Sequence, residues 1–312
     1  MKPRLLQHGR LPEQTEARLA KHFDVHPLWA ESDPAAYLAR HGGEFVAMTT
    51  RAATGVDAAM LATLPNLRVI SSFGVGLDKL DLDTARARGI AVGYTPDVLN
   101  DCVADTAFAL LMDAARQVSA ADRYVRRGDW LKGPYPLTTR VSGKRLGIVG
   151  MGRIGRVIAK RSSGFDMEVR YFGRKAQDGV PYRFEPSIQA LAEWADFLVI
   201  AASGGPETRH LVSADVLKAL GPKGYLINIA RGTVVDEAAL VDALTHQRIA
   251  GAGLDVFEHE PKVPEALFAL DNVVLLPHVA SGTHETRAAM AGLVFDNLQS
   301  FFATGAVLKS AV

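Results

Sequence analysis

The chain has 312 residues, 48% of them hydrophobic and 22% charged, with 28 Gly and 15 Pro; this excludes a disordered protein and leaves room for two compact domains. Its 35 basic and 34 acidic residues leave a net charge of +1, which excludes a global field that gathers nucleic acid or acidic membrane. The single cysteine, Cys102, excludes an internal disulfide and a cysteine-rich metal site, and no apolar segment reaches signal-peptide or membrane-spanning length.

A soluble, cytoplasmic protein with no metal, nucleic-acid or membrane partner is therefore expected. Short apolar runs alternate with helical patterns from end to end, which predicts α/β architecture with parallel strands. In the first third, strands are predicted at 4–8, 23–28, 45–49, 68–73 and 90–92, with helices at 12–21 and 80–88, the latter ended by Gly89. From Asn100, a candidate N-cap, one helical pattern runs unbroken to Arg127 and stops at Gly128. A helix of that length is expected to link two domains and to pair two copies of the chain as a homodimer. Cys102 on it reads as a small core residue. A Gly- and Pro-bearing loop follows over 128–143.

The middle is the most regular part. Strands are predicted at 145–150, 167–172, 196–201, 225–229, 252–256 and 273–276, with helices at 153–163, 188–194, 215–220 and 237–246 between them. Ser213 and Asp236 are the expected caps of the last two helices. Six strands with crossovers make one doubly wound sheet. A final helix near 283–303 turns Met290, Leu293, Val294, Leu298 and Phe301 inward. The expected organisation is two Rossmann-like domains. A cofactor domain over 100–283, with its doubly wound parallel sheet, is inserted into a smaller flavodoxin-like substrate domain made of 1–99 and 284–312.

Residues 144–150 read as a buried strand, and Gly150-Met151-Gly152-Arg153-Ile154-Gly155 fits GxGxxG and opens a helix. The first Gly permits the tight turn, the second lets backbone approach a pyrophosphate, and the third allows close helix–strand packing. The helix N-terminus adds free N–H groups and a positive dipole end. Where an NAD site usually places Asp or Glu, the next strand ends Tyr171-Phe172-Gly173-Arg174-Lys175. Two cations replace the carboxylate and suit a ribose 2′-phosphate, so NADP (as NADPH) is expected over NAD.

Three chemically loaded residues fall just past successive strands: Arg231, Glu260 and His278, with Asp255 before Glu260. Ligands lie outside the carboxyl ends of strands in such sheets. Reduction of a ketone by hydride leaves charge on oxygen, and histidine can deliver the proton near neutral pH. A neighbouring carboxylate favours the imidazolium, and an arginine can hold both carboxylate and carbonyl of a 2-oxo acid. Glu258 and His259 compete with Glu260 in the same loop on this reasoning alone.

The Gly150 fingerprint, Asn228-Ile229-Ala230-Arg231-Gly232, Gly253-Leu254-Asp255-Val256-Phe257-Glu258 and Pro277-His278-Val279-Ala280-Ser281 together resemble the D-isomer-specific 2-hydroxyacid dehydrogenase family over nearly the whole chain. The resemblance implies that Arg231 binds and polarises substrate, that His278 is acid/base, and that Glu260 is its partner. It also implies cofactor contacts from Ser203, Ile229, Ala230, Asp255, Ser281 and Gly282. Ser72-Phe73-Gly74-Val75-Gly76-Leu77-Asp78 looks like the family's substrate loop, where N–H groups around Val75, Gly76 and Leu77 hold a carboxylate. Thr95-Pro96-Asp97-Val98-Leu99-Asn100-Asp101 and the Gly173-Arg174-Lys175 selector are most similar to glyoxylate/hydroxypyruvate reductases and the similar hydroxyphenylpyruvate reductases. Asn100 and Ala201-Ala202-Ser203 depart from that pattern. A small 2-oxo acid is the expected partner, hydroxypyruvate or glyoxylate before an aryl-pyruvate. A nucleotide-sensing, corepressor-like binding protein is the alternative from another class.

Overall fold

The computed structural model describes residues 2–312, which divide into two compact units: the chain up to Leu99 together with Gly282–Val312, and Asn100–Ser281. Among the described residues, no helix is long and apolar enough to cross a membrane.

In the first unit β1 (Arg4–Gln7), β2 (Asp24–Pro27), β3 (Ala47–Arg51), β4 (Val69–Phe73) and β5 (Ala91–Gly93) form a parallel sheet in the order β2-β1-β3-β4-β5. This is the flavodoxin-like order. Leu5 of β1 stands beside Val25 on one side and Ala47 on the other. Helices α1 (Glu13–His22), α2 (Pro34–His41), α3 (Ala58–Ala62) and α4 (Leu82–Ala87) are the crossovers. Three start on aspartates: Asp33, Asp57 and Asp81 accept the N–H groups of Ala36, Met60 and Thr84 at 3.0, 2.8 and 2.9 Å. α2 and α3 are short, and neither showed as a period in the sequence. Leu6, Phe45, Met48, Ile70 and Ile90 are fully buried in the core, each stabilising the fold by roughly 1.5–3 kcal/mol.

The second unit opens with α5 (Asn100–Arg116) and α6 (Val118–Arg126). These correct the single helix expected to Arg127. Gln117 takes a left-handed conformation at φ 51, and the Asp113 carboxylate accepts both the Ser119 N–H, at 2.8 Å, and the Ser119 hydroxyl. A side chain thus restarts the helix where no Gly or Pro marks a break. Cys102 on α5 is half-buried. On and after α6, Val118, Val125, Trp130, Leu131 and Leu137 are exposed.

The sheet then follows as β6 (Arg145–Val149), α7 (Arg153–Ser162), β7 (Glu168–Phe172), β8 (Arg183–Phe184), α8 (Ile188–Trp194), β9 (Phe197–Ile200), α9 (Ala214–Leu220), β10 (Tyr225–Asn228), α10 (Glu237–Thr245), β11 (Gly251–Leu254) and β12 (Val273–Leu275). All strands are parallel, in the order β12-β11-β10-β9-β6-β7-β8. The expected six strands are seven. The addition, β8, is a two-residue edge strand, too short to show a period. Next to it, the buried Glu185 pairs with Arg170 and Arg183, both at 3.0 Å. Strand order reverses between β6 and β9, the switch point at which open α/β sheets bind ligands. The central strands are apolar between their end residues because helices cover both faces; Ile148, Phe197, Leu198, Leu226 and Ile227 are fully buried.

The chain returns to the first unit as α11 (His284–Thr304), started by the Thr283 hydroxyl, which accepts the Thr286 N–H at 3.2 Å. It buries Met290, Val294, Leu298 and Phe301 against β4 and α1, with Leu293 half-buried. The buried Asn297 amide satisfies Tyr94 O and Lys309 N–H.

Candidate active site

Every residue of the proposed constellation lies past the carboxyl end of a strand in the second unit, because that is where each crossover leaves the sheet. β10 ends at Asn228, whose buried side chain fastens the exit turn: its Oδ1 accepts Ala230 N–H at 3.1 Å and its Nδ2 donates to Arg231 O at 3.0 Å. Ile229 is buried and Ala230 half-buried in this turn. Arg231 Nη1 donates to Ala230 O at 2.8 Å, which aims the guanidinium. A Cβ on Gly232 would fall 1.9 Å from Phe257 C, so the Arg231 turn lies backbone-to-backbone on the turn after β11.

That second turn carries Glu260. Phe257 N–H donates to Glu260 Oε1 at 3.2 Å, and Glu260 Oε2 lies 2.8 Å from His278 Nδ1. Burial acts to raise the Glu260 carboxyl, but the His278 hydrogen bond and charge, the Phe257 N–H and the Arg231 charge outweigh it. Its pKa therefore lies below the usual glutamate value. The two competitors go elsewhere. Glu258 pairs with Arg209 and His210, while the exposed His259 closes a turn with Lys262.

His278 follows β12 with a left-handed backbone, φ 53. Asp255, at 0% exposure directly after β11, holds the next two residues: its oxygens accept Val279 N–H at 2.7 Å and Ala280 N–H at 3.0 Å. Burial raises the Asp255 carboxyl, and these two bonds only partly offset it. Both oxygens expected at the nicotinamide end thus serve backbone. The Thr106 hydroxyl on α5 adds a bond to Ala280 O at 3.3 Å. Ser281 is half-buried, and Gly282 begins the return to the first unit.

The glycine turn at the switch point fits a dinucleotide. Gly150 has φ 98, and a Cβ there would lie 2.6 Å from Ala202 N. A Cβ on Gly155 would lie 2.1 Å from Gly150 O, so α7 packs on the turn itself. At Gly152, the N-cap of α7, a Cβ would meet nothing within 4 Å, and the helix receives no side-chain cap. That open side and the first-turn N–H groups of Arg153, Ile154 and Gly155 suit a pyrophosphate. Beyond β7, Arg174 and Lys175 are exposed; Arg174 Nη1 lies 3.8 Å from Glu207 of the loop after β9. In the same loop Ser203 O accepts the Thr208 hydroxyl at 2.8 Å. A cavity of about 240 Å³ sits at the opposite, amino ends of the strands, lined by Thr139, Lys144, Asp196 and Tyr225 among others, and is no part of this site. Among the described residues, no group of three or more potential ligands could hold a metal.

In the first unit, Val75, Gly76 and Leu77 form a half-buried turn past β4. Gly74 (φ 139) makes the turn possible, and its N–H donates to the Thr95 hydroxyl at 3.0 Å. Sequence reasoning missed Asn228, Arg209 and His210 as structural partners of these loops. An asparagine at a strand end was a usable signal; the other two had none.

Residues 108–280 match the model of the D-isomer specific 2-hydroxyacid dehydrogenase NAD-binding domain. Glyoxylate/hydroxypyruvate reductase A of Arabidopsis thaliana is 47% identical over 297 residues, 95% of each chain. Hydroxyphenylpyruvate reductase of Plectranthus scutellarioides is also 47% identical, again over 95% of each. Among solved structures, the NADPH-dependent glyoxylate/hydroxypyruvate reductase of Sinorhizobium meliloti in complex with NADP and malonate is 40% identical. It superposes with a TM-score of 0.91, covering 100% of this chain and 97% of that one.

Proposed function

The chain belongs to the D-isomer specific 2-hydroxyacid dehydrogenase family, and from that premise we propose that it reduces hydroxypyruvate or glyoxylate to the D-2-hydroxy acid with NADPH. The observation that carries this reading is the His278–Glu260 pair at 2.8 Å, within reach of the Arg231 charge. Glu260 occupies Nδ1, so His278 presents Nε2 to substrate, and the Nε2 proton goes to the keto oxygen as it becomes hydroxyl. The Glu260 carboxylate, 2.8 Å from Nδ1, holds the ring plane. Arg231, whose Nη1 is held at Ala230 O, would bind the substrate carboxylate and polarise the carbonyl through its guanidinium. The Val75–Gly76 turn offers backbone N–H groups to a carboxylate. When bound, the nicotinamide supplies hydride to the keto carbon.

Arg174 and Lys175 would hold the 2′-phosphate, and the NADPH-dependent relative supports that preference. The hydroxyphenylpyruvate reductase relative supports an aryl-pyruvate as the second substrate reading. The apolar side chains exposed around α6 support a homodimer, which light scattering tests. The function itself is tested by following nicotinamide absorbance with glyoxylate, hydroxypyruvate and hydroxyphenylpyruvate, each with NADPH and NADH. Turnover of a small 2-oxo acid with NADPH is expected. Retention of nucleotide with no turnover of any 2-oxo acid would leave a nucleotide-sensing binding protein.

A further inference from the structure

Residues 209–212, in the second half of the loop between β9 and α9, are not used by the chemistry above, yet they grip both loops that carry working groups. His210, at φ 49, donates its N–H to Thr233 O at 2.8 Å, and Val212 N–H bonds Val234 O at 3.0 Å. Those bonds seat the segment on the turn just past Arg231. Its side chains reach the next loop: Arg209 Nη2 lies 2.7 Å from Glu258 Oε1, and His210 Nε2 lies 3.2 Å from the same oxygen. Glu258 stands two residues before Glu260, and its side chain is only 11% exposed. With little water to turn to, its carboxylate depends on these partners. From the other side, Glu258 N–H donates to Glu237 Oε2 at the start of α10, at 3.0 Å.

We propose that Glu258 is a positioning residue, which Arg209 and His210 anchor so that the 256–260 turn keeps the Glu260 carboxylate on His278 Nδ1. This rests on the roles given above to Glu260 and His278. Glu258 acts through Glu260, so its loss falls on proton delivery and not on cofactor capture at the Gly150 turn. Burial acts to raise the Glu258 carboxyl, but the bonds from His210 and Arg209 outweigh it, so its pKa lies below the usual glutamate value and the anchor is a carboxylate at neutral pH.

The test is Glu258→Gln in the full chain, with Glu258→Asp as the conservative variant. Arg209→Ala, on the more exposed partner, carries the test if Glu258→Gln does not fold. Glu258→Gln should lose roughly tenfold in kcat, about 1.4 kcal/mol. The Kd for NADPH should stay within about twofold. Glu258→Asp should recover part of the rate, and Arg209→Ala should show the same pattern more weakly. A folded Glu258→Gln with unchanged kcat overturns the proposal, as does a loss confined to melting temperature. Amide hydrogen exchange over 255–262 needs no turnover and keeps the two readings apart. If the wild type reduces no 2-oxo acid, the proposed function fails. Faster exchange in Glu258→Gln then still supports the anchor, and unchanged exchange removes it.

Discussion

Asp255 fixes His278 through the backbone that follows it, its two buried oxygens taking the Val279 and Ala280 N–H groups at 2.7 and 3.0 Å. In Asp255→Asn one of those N–H groups would face an amide NH2 and lose its acceptor, at a cost of about 1–3 kcal/mol. Melting temperature should fall by several degrees, and kcat by about tenfold or more as the imidazole loses its aim. Calorimetry and steady-state rates on the one variant check both.

Glu260 sets a pH dependence with a definite sign. Its folded pKa lies below the ordinary 4.5, so its contribution to stability is complete above that value and is lost as pH falls through the folded pKa. Wild type should exceed Glu260→Gln by at most about 1 kcal/mol at neutral pH, since the pair is partly exposed. The gap should close in urea titrations carried out below pH 4.5.

His278→Ala should lower kcat by about 10²- to 10⁴-fold, the usual contribution of a positioned proton donor. NADPH affinity, followed by fluorescence titration, should hold. Equal weakening of cofactor binding would mean that His278 serves the nucleotide and not the proton.

Gly232→Ala drives a methyl carbon into Phe257 backbone, where the open distance is 1.9 Å. The Arg231 and Glu260 turns must then separate, and placements an ångström off can cost about 10²-fold in rate. The expected signature is a joint fall in kcat and rise in substrate KM. Unchanged kinetics would show that the two turns need no fixed spacing.

Arg174→Asp should cut kcat/KM for NADPH by about 10- to 100-fold through loss of a charge-assisted contact and added repulsion. NADH should be little affected or improved. Equal losses with both cofactors would place Arg174 outside the 2′-phosphate site.

The strand exits were legible to within two residues because parallel buried strands are continuous apolar runs: the expected ends at 229, 256 and 276 lie one or two residues past the observed ends at Asn228, Leu254 and Leu275. The glycine turn was legible because only glycine fits the contacts at 150 and 155. The break at Gln117 was hidden: its cause is the Asp113–Ser119 side-chain bond, which has no period and no breaker residue. β8 was hidden because two residues cannot show alternation. Composition and strand position left Glu258, His259 and Glu260 level. What distinguishes the carboxylates in space is their partners, Arg209 and His210 for one and His278 for the other, and those pairings join residues distant in the chain.

His278 occupies a backbone conformation for which glycine is the cheapest tenant; any side chain there costs about 1–2 kcal/mol. The imidazole is therefore kept against the preference of the fold. Glycine at this position would relieve that backbone cost and leave a protein with no proton to give. Robustness and chemistry pull in opposite directions at one residue, and any attempt to harden this chain has to begin elsewhere.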